Sequence, residues 1–205
     1  MASGRLQQSP EPKGGGIIKR DWWGAYELPI GSSPRHPLQF IVASLDGAFT
    51  AKQENDPSGF TVWGAYKDDH GKPKILLLQA WKKWLELHGT TMERLPNEDN
   101  RNYVRRTSKD WGLVEWVAHE CTRLRVHRLL IEDKASGHPV HQEIKRLYGD
   151  RDWGVQLVSP GTQDKRARAF AVQHLFSDGI VEAPAAPQGD LLIFRDWAEV
   201  AISEC

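Results

Sequence analysis

Phe40-Ile41-Val42-Ala43-Ser44-Leu45 is a short, nearly continuous apolar run that stops at Asp46-Gly47, the form a buried strand takes when a turn closes it. A polar loop, 52–58, leads into Phe60-Thr61-Val62-Trp63-Gly64-Ala65-Tyr66, which is rich in strand formers. The turn Asp68-Asp69-His70-Gly71-Lys72-Pro73 precedes Ile75-Leu76-Leu77-Leu78. Three strands joined by one loop and one turn read as an antiparallel meander.

Downstream the period changes. Trp84, Leu85, Leu87 and Met92 suggest a short helix. Trp111, Val114, Val117, Ala118, Cys121 and Leu124 recur at three and four residues, an amphipathic helix with Asp110 as its candidate cap. Leu129-Leu130-Ile131 is a second short buried strand, ending at Glu132-Asp133. A helix near Pro139 carries Val140, Ile144 and Leu147 inward, Val155 to Val158 reads as a strand, and Asp164 can cap a helix running to about Phe176. Leu191 to Ser203 reads as a last helix. Strands joined by helical crossovers become parallel neighbours, so the whole is an α/β mixed sheet: three antiparallel strands, then parallel ones, flanked by helices.

The chain has 205 residues, enough for one domain with a sizeable core. Residues 1–37 are rich in proline and contain Gly14-Gly15-Gly16, so they read as a linker or arm, with Trp22, Trp23 and Tyr26 packing it onto a surface. Residues 38–205 then form the domain proper. No apolar run approaches the roughly 20 residues of a membrane span, which argues against a membrane protein. Two cysteines make neither a zinc site nor a disulfide framework, which fits a reducing compartment such as a cytoplasm. The 27 basic and 27 acidic residues cancel overall. Residues 101–172 nonetheless carry 14 basic against 9 acidic ones, leaving room for an anionic partner. The patterns of a P-loop ATPase and of a G-x-S-x-G serine hydrolase are absent.

Chemistry points to the strand ends, where α/β sheets bind ligands. Asp46 closes the first strand, and Glu132 with Asp133 closes the fourth. Carboxylates converging from neighbouring strand ends can share Mg²⁺ or Mn²⁺ and support in-line attack of water on a phosphodiester. From spacing alone, turn caps and metal ligands both remain open. Lys165, Arg166 and Arg168 sit in a first helical turn, where the dipole disfavours cations. Either an anion binds there, or the turn is a solvated basic face offset by Asp164. His138 and His141 have a ligand-like spacing, but nothing nearby completes a set.

The run Gln39 to Phe49, then Asn55-Asp56-Pro57-Ser58-Gly59 and Trp63-Gly64, resembles the opening of the nuclease domain of phage large terminase subunits. Leu130-Ile131-Glu132-Asp133-Lys134-Ala135-Ser136-Gly137, Pro160 to Ala169 and Phe176 to Val181 are similar to later family segments, and the lead-in from Gln7 to Lys19 is similar to the ATPase–nuclease connection. The likeness runs in order along nearly the whole chain. It implies an RNase H-like fold and two-metal cleavage of concatemeric double-stranded DNA with two Mg²⁺ or Mn²⁺ ions. The partners it implies are a terminase ATPase domain, a small terminase subunit and a portal, in a bacterial host cytoplasm. By this likeness Asp46 and Glu132 are the first catalytic and metal acids, and Asp133 is a further catalytic candidate. Asp56 supports the metal, while Lys165, Arg166, Arg168 and Lys134 contact DNA. The family's third acid belongs to an Asp-Asp motif beyond Ser203-Glu204-Cys205, so the expectation is a C-terminally truncated domain. Two alternatives stand beside this reading. One is another RNase H-like nuclease of resolvase or transposase type, and the other is a catalytically incomplete remnant that binds DNA or docks on a partner.

Overall fold

The computed structural model describes residues 16–27, 37–48, 56–162, 164–188 and 191–205. Alternation of buried and open residues makes β2, Phe40–Asp46: Ile41, Ala43 and Leu45 are buried while Ser44 and Asp46 face away. β2 pairs antiparallel with β3, Ser58–Lys67, which pairs antiparallel with β4, Pro73–Lys83. The expected meander is present. On its other side β2 pairs in parallel with β5, Arg128–Glu132, and β5 pairs in parallel with β6, Gly154–Val158.

The crossovers are helical. α2, Leu113–Arg123, precedes β5, and α3, Gly137–Tyr148, precedes β6. Both lie on the face carrying Ile41, Ala43 and Leu45. There Leu113, Val114, Val117, Cys121, Val140 and Ile144 join Phe60, Val62, Leu129 and Ile131 in the first core. α4, Lys165–Ser177, is capped as its sequence suggests: the Asp164 carboxylate accepts the Ala167 N–H at 2.7 Å.

Several expectations are corrected. Residues 84–92 form no helix, because that backbone docks on the start of α2. Leu113 N–H donates to Glu86 O at 2.8 Å and Val114 N–H to Leu87 O at 3.1 Å, satisfying two open helix-start donors. A helix lies instead at α1, Asn100–Thr107, capped by Asp99. Asp110 does not cap α2. The Glu115 carboxylate does so, accepting from Gly112 N–H at 2.9 Å and Gly89 N–H at 3.0 Å. The segment 191–203 is not one helix but strand β8, Leu191–Phe194, followed by α5, Asp196–Ser203.

Two further strands are new. β7, Val181–Gln188, pairs in parallel with β4 and antiparallel with β8. β1, Gly24–Glu27, lies in the stretch read as a lead-in and pairs in parallel with β7. The eight-stranded sheet runs β1-β7-β4-β3-β2-β5-β6, with β8 beside β7. A second core forms here from Ile18, Trp23, Leu77, Phe176, Val181, Ala183, Ala198 and Ile202. Trp23 meets the Phe176 ring edge at 4.8 Å, and the Tyr26 hydroxyl donates to Leu77 O at 2.7 Å.

Candidate active site

The register of β2 on β5 sets Leu45 beside Ile131, so Asp46 and Glu132 follow side by side at the same strand ends. Both residues sit at the parity opposite the first core, and a slip of one residue would turn them into it. Two features fix the turns that follow. Ser58 Oγ donates to Ala48 O at 2.5 Å and accepts from Ala48 N–H at 3.1 Å, pinning the turn after Asp46. After β5, Lys134 N–H donates to Glu132 O and Gly137 N–H to Lys134 O, both at 2.9 Å. A Cβ at Gly137 would lie 2.1 Å from Glu132 O, so only glycine lets α3 begin this close to the acid.

Cations surround the pair. The Lys134 ammonium is bonded to Glu132 and lies 3.7 Å from Asp46. Lys165 Nζ stands 3.9 Å from Asp46, and Arg168 Nη1 3.5 Å from Glu132. Lys165 and Arg168, three apart, share one face of α4, and Arg166 beside them is exposed. The basic helix start therefore faces anions, namely the protein's own carboxylates. Glu132 is largely enclosed, at 17% side-chain exposure, whereas Asp46 is open at 57%. Burial works to raise the Glu132 pKa. The Lys134 hydrogen bond and charge, with a contact to Asp46 and the Arg168 charge, outweigh it and hold the carboxyl below its usual range. The bond to Glu132 in turn holds the Lys134 ammonium above its ordinary value against partial desolvation.

The other expected residues are placed as follows. Asp56 lines the same groove as Asp46, Lys134 and Lys165, a space of about 670 Å³. Asp133 takes the opposite parity and lies 2.7 Å from His138 Nε2, while its N–H continues the ladder to Val158 O at 2.8 Å. The groove's far wall escaped the sequence reading. Trp197 and Glu204 belong to it, with Glu204 held by Lys82 at 3.0 Å. Glu199, on the same helix, is tied instead to Arg20.

The donor set suits a hard cation. Asp46 and Glu132 offer the carboxylate oxygens that Mg²⁺ and Mn²⁺ take, and an ammonium already stands between them. Among the described residues no group of three His, Cys, Asp or Glu is gathered at one point. No helix among them is long and apolar enough to cross a membrane.

No protein-family model matches the chain, and no curated protein does either. Solved structures do. The human cytomegalovirus terminase nuclease domain is 15% identical, with 91% of this chain and 84% of that one covered at a TM-score of 0.53. The nuclease domain of the large terminase subunit gp2 of bacterial virus Sf6 is 11% identical, covering 92% and 80% at 0.46. Thermus thermophilus RuvC is 17% identical, covering 74% and 85% at 0.41. Strand order, helical crossovers and the likeness to the cytomegalovirus domain together establish an RNase H-like α/β fold, a mixed sheet flanked by helices.

Proposed function

We propose that this chain is a nuclease domain of the viral DNA-packaging terminase type, cleaving double-stranded DNA with the aid of Mg²⁺ or Mn²⁺. The observation that carries the reading is the Asp46–Glu132 pair on adjacent parallel strand ends, ringed by Lys134, Lys165 and Arg168 in an open groove. Asp46 and Glu132 would hold the ion, which when bound supplies an activated water and charge stabilisation at the phosphodiester. A second ion would need further oxygen donors, and Asp56, which lines the same groove, is the candidate the sequence offers.

The remaining work falls to the chain's own side chains. Lys165 and Arg168 contact their carboxylates only at 3.5–3.9 Å, and both project from the start of α4. They can turn to a DNA phosphate, where guanidinium and ammonium bind backbone oxygens without reading sequence. Arg166, exposed beside them, extends that basic edge. Asp133 lies beside His138 at the opposite parity, away from the Asp46–Glu132 pair. In this setting a terminase ATPase domain, a small subunit and a portal are the partners, and the bacterial cytoplasm is the place.

The test uses supercoiled plasmid, linear duplex and four-way junction DNA with Mn²⁺ or Mg²⁺. Nicking and linearisation of plain duplex without preference for the junction is the expected result. Junction preference would favour a resolvase-like nuclease. DNA binding without cleavage in either metal would make the chain a catalytically incomplete binding module.

A further inference from the structure

We infer that Lys134 is the built-in counter-ion of the Asp46–Glu132 pair, and that a divalent cation enters the site by displacing it. The inference rests on the metal-dependent reading above and deepens it.

Position singles out this lysine among the neighbouring cations. Lys134 is bonded to Glu132 and within 3.7 Å of Asp46, so it alone of the three touches both carboxylates. Of the two carboxylates Lys165 reaches only Asp46, at 3.9 Å, and Arg168, which also donates to Pro160 O at 3.2 Å, reaches only Glu132, at 3.5 Å. The resemblance implies a DNA contact for Lys134, whereas its ammonium is turned inward onto the acids.

Charge then sets the consequence. Three cations stand within 4 Å of the two carboxylates, so this inner set carries one positive charge in excess. A doubly charged ion added to that set meets repulsion at close range, and the largest share comes from the ammonium already lying between its ligands. The backbone of Lys134 is fixed by the hydrogen bonds to Glu132 O and from Gly137 N–H. Its side chain is 43% exposed and lines the open groove, so the stem can swing into water without moving β5 or α3. Departure of one ammonium exchanges one positive charge for two. That exchange brings the acids and the ion into a stronger interaction, while the freed lysine stays close to the groove.

Mn²⁺ binding, followed by the loss of the free-ion electron paramagnetic resonance signal, tests this without any substrate. The full chain, its Lys134→Met variant and its Lys165→Met variant are titrated side by side, with circular dichroism to verify the fold. Lys134→Met should bind Mn²⁺ at least tenfold more tightly than the unaltered chain, and Lys165→Met should gain clearly less. Unchanged or weaker binding by Lys134→Met overturns the inference. So does an equal gain in both variants, which would mean a diffuse field rather than a displaced counter-ion. If none of the three chains binds Mn²⁺, the metal-dependent reading itself fails, and Lys134 has no ion to keep out.

Discussion

The core under β2, β5, α2 and α3 is built mainly of branched aliphatic residues from segments with a clear period, such as Ile41, Leu45, Val114, Val117, Leu129 and Ile131. The core under β4, β7 and α5 is more mixed and draws on both ends of the chain: the rings of Trp23 and Phe176 and the small Ala183 and Ala198 pack with Ile18, Leu77, Val181 and Ile202. The first core fixes the strand ends that carry Asp46 and Glu132. The second supports α5 and with it the groove's far wall, including Trp197 and Glu204. The carboxylates thus stand over the first core, while the wall facing them rests on α5 packed against β4 and the second core. The acidic pair and the far wall of this groove are therefore held by different cores.

Matched truncations put that contrast at risk. Phe60, 1% exposed and stacked on Trp81 at 4.9 Å, belongs to the first core. Phe60→Ala should cost about 3–5 kcal/mol in chemical denaturation. Phe176 in the second core is 7% exposed, and Phe176→Ala should cost about 3 kcal/mol, the lower end for such a change. Hydrogen exchange should then open β1 and β7 while β2 and β5 stay protected. Equal opening of both regions would erase the distinction.

A smaller effect sharpens the link between the first core and the site. Gly137→Ala forces a Cβ against Glu132 O, and the backbone must shift. A loss of about 1–3 kcal/mol is expected, with a thermal melt as the check. A melt like that of the unaltered chain would show that the turn at Glu132 is looser than its contacts imply.

The smallest effect concerns the lead-in. Arg20 grips Glu199 through two hydrogen bonds of 2.8 and 2.9 Å, and its guanidinium lies over Phe194. Both partners are well exposed, so Arg20→Gln should cost less than about 1 kcal/mol. The Arg20 hydrogen bond, opposed by partial burial and aided by the Arg20 charge, holds the Glu199 carboxyl below its ordinary value near 4.5. A lowered carboxylate pKa stabilises the fold above the unfolded value and loses that contribution as pH falls through the folded one. The difference between Arg20→Gln and the unaltered chain should therefore vanish in melts recorded progressively below pH 4.5.

Legibility from sequence follows the same division. The apolar run 40–45, the strand formers of 60–66, the three–four spacing from Trp111 to Leu124 and the Asp164 cap each announce their element, because one local rule decides them. The second region obeys no such rule. Val181–Gln188 contains Pro184 and Pro187, which speak against a strand, yet it pairs as β7 beside an edge and a short contact with β4. Leu191-Leu192-Ile193 runs on toward α5 as one apolar stretch, and only its pairing with β7 separates strand from helix. In the site, strand-end position pointed to Asp46 and to Glu132 with Asp133, and the structure sets Asp133 at the opposite parity, beside His138. That Lys134 turns back onto both acids depends on the tight turn to Gly137. Glu204 joins the groove through the packing of α5 on the sheet, a contact no spacing in the sequence encodes.

The most direct test of the metal-dependent strand-end site compares the full chain with its Asp46→Asn variant on supercoiled plasmid in Mn²⁺. The substitution keeps the side-chain shape, at an open position outside both cores, so circular dichroism and melting should be unchanged. Cleavage by the unaltered chain should fall by about 100-fold or more in the variant, the scale of losing a group that acts at the reacting atoms. Equal cleavage by both chains would contradict the assignment of the chemistry to Asp46 and Glu132.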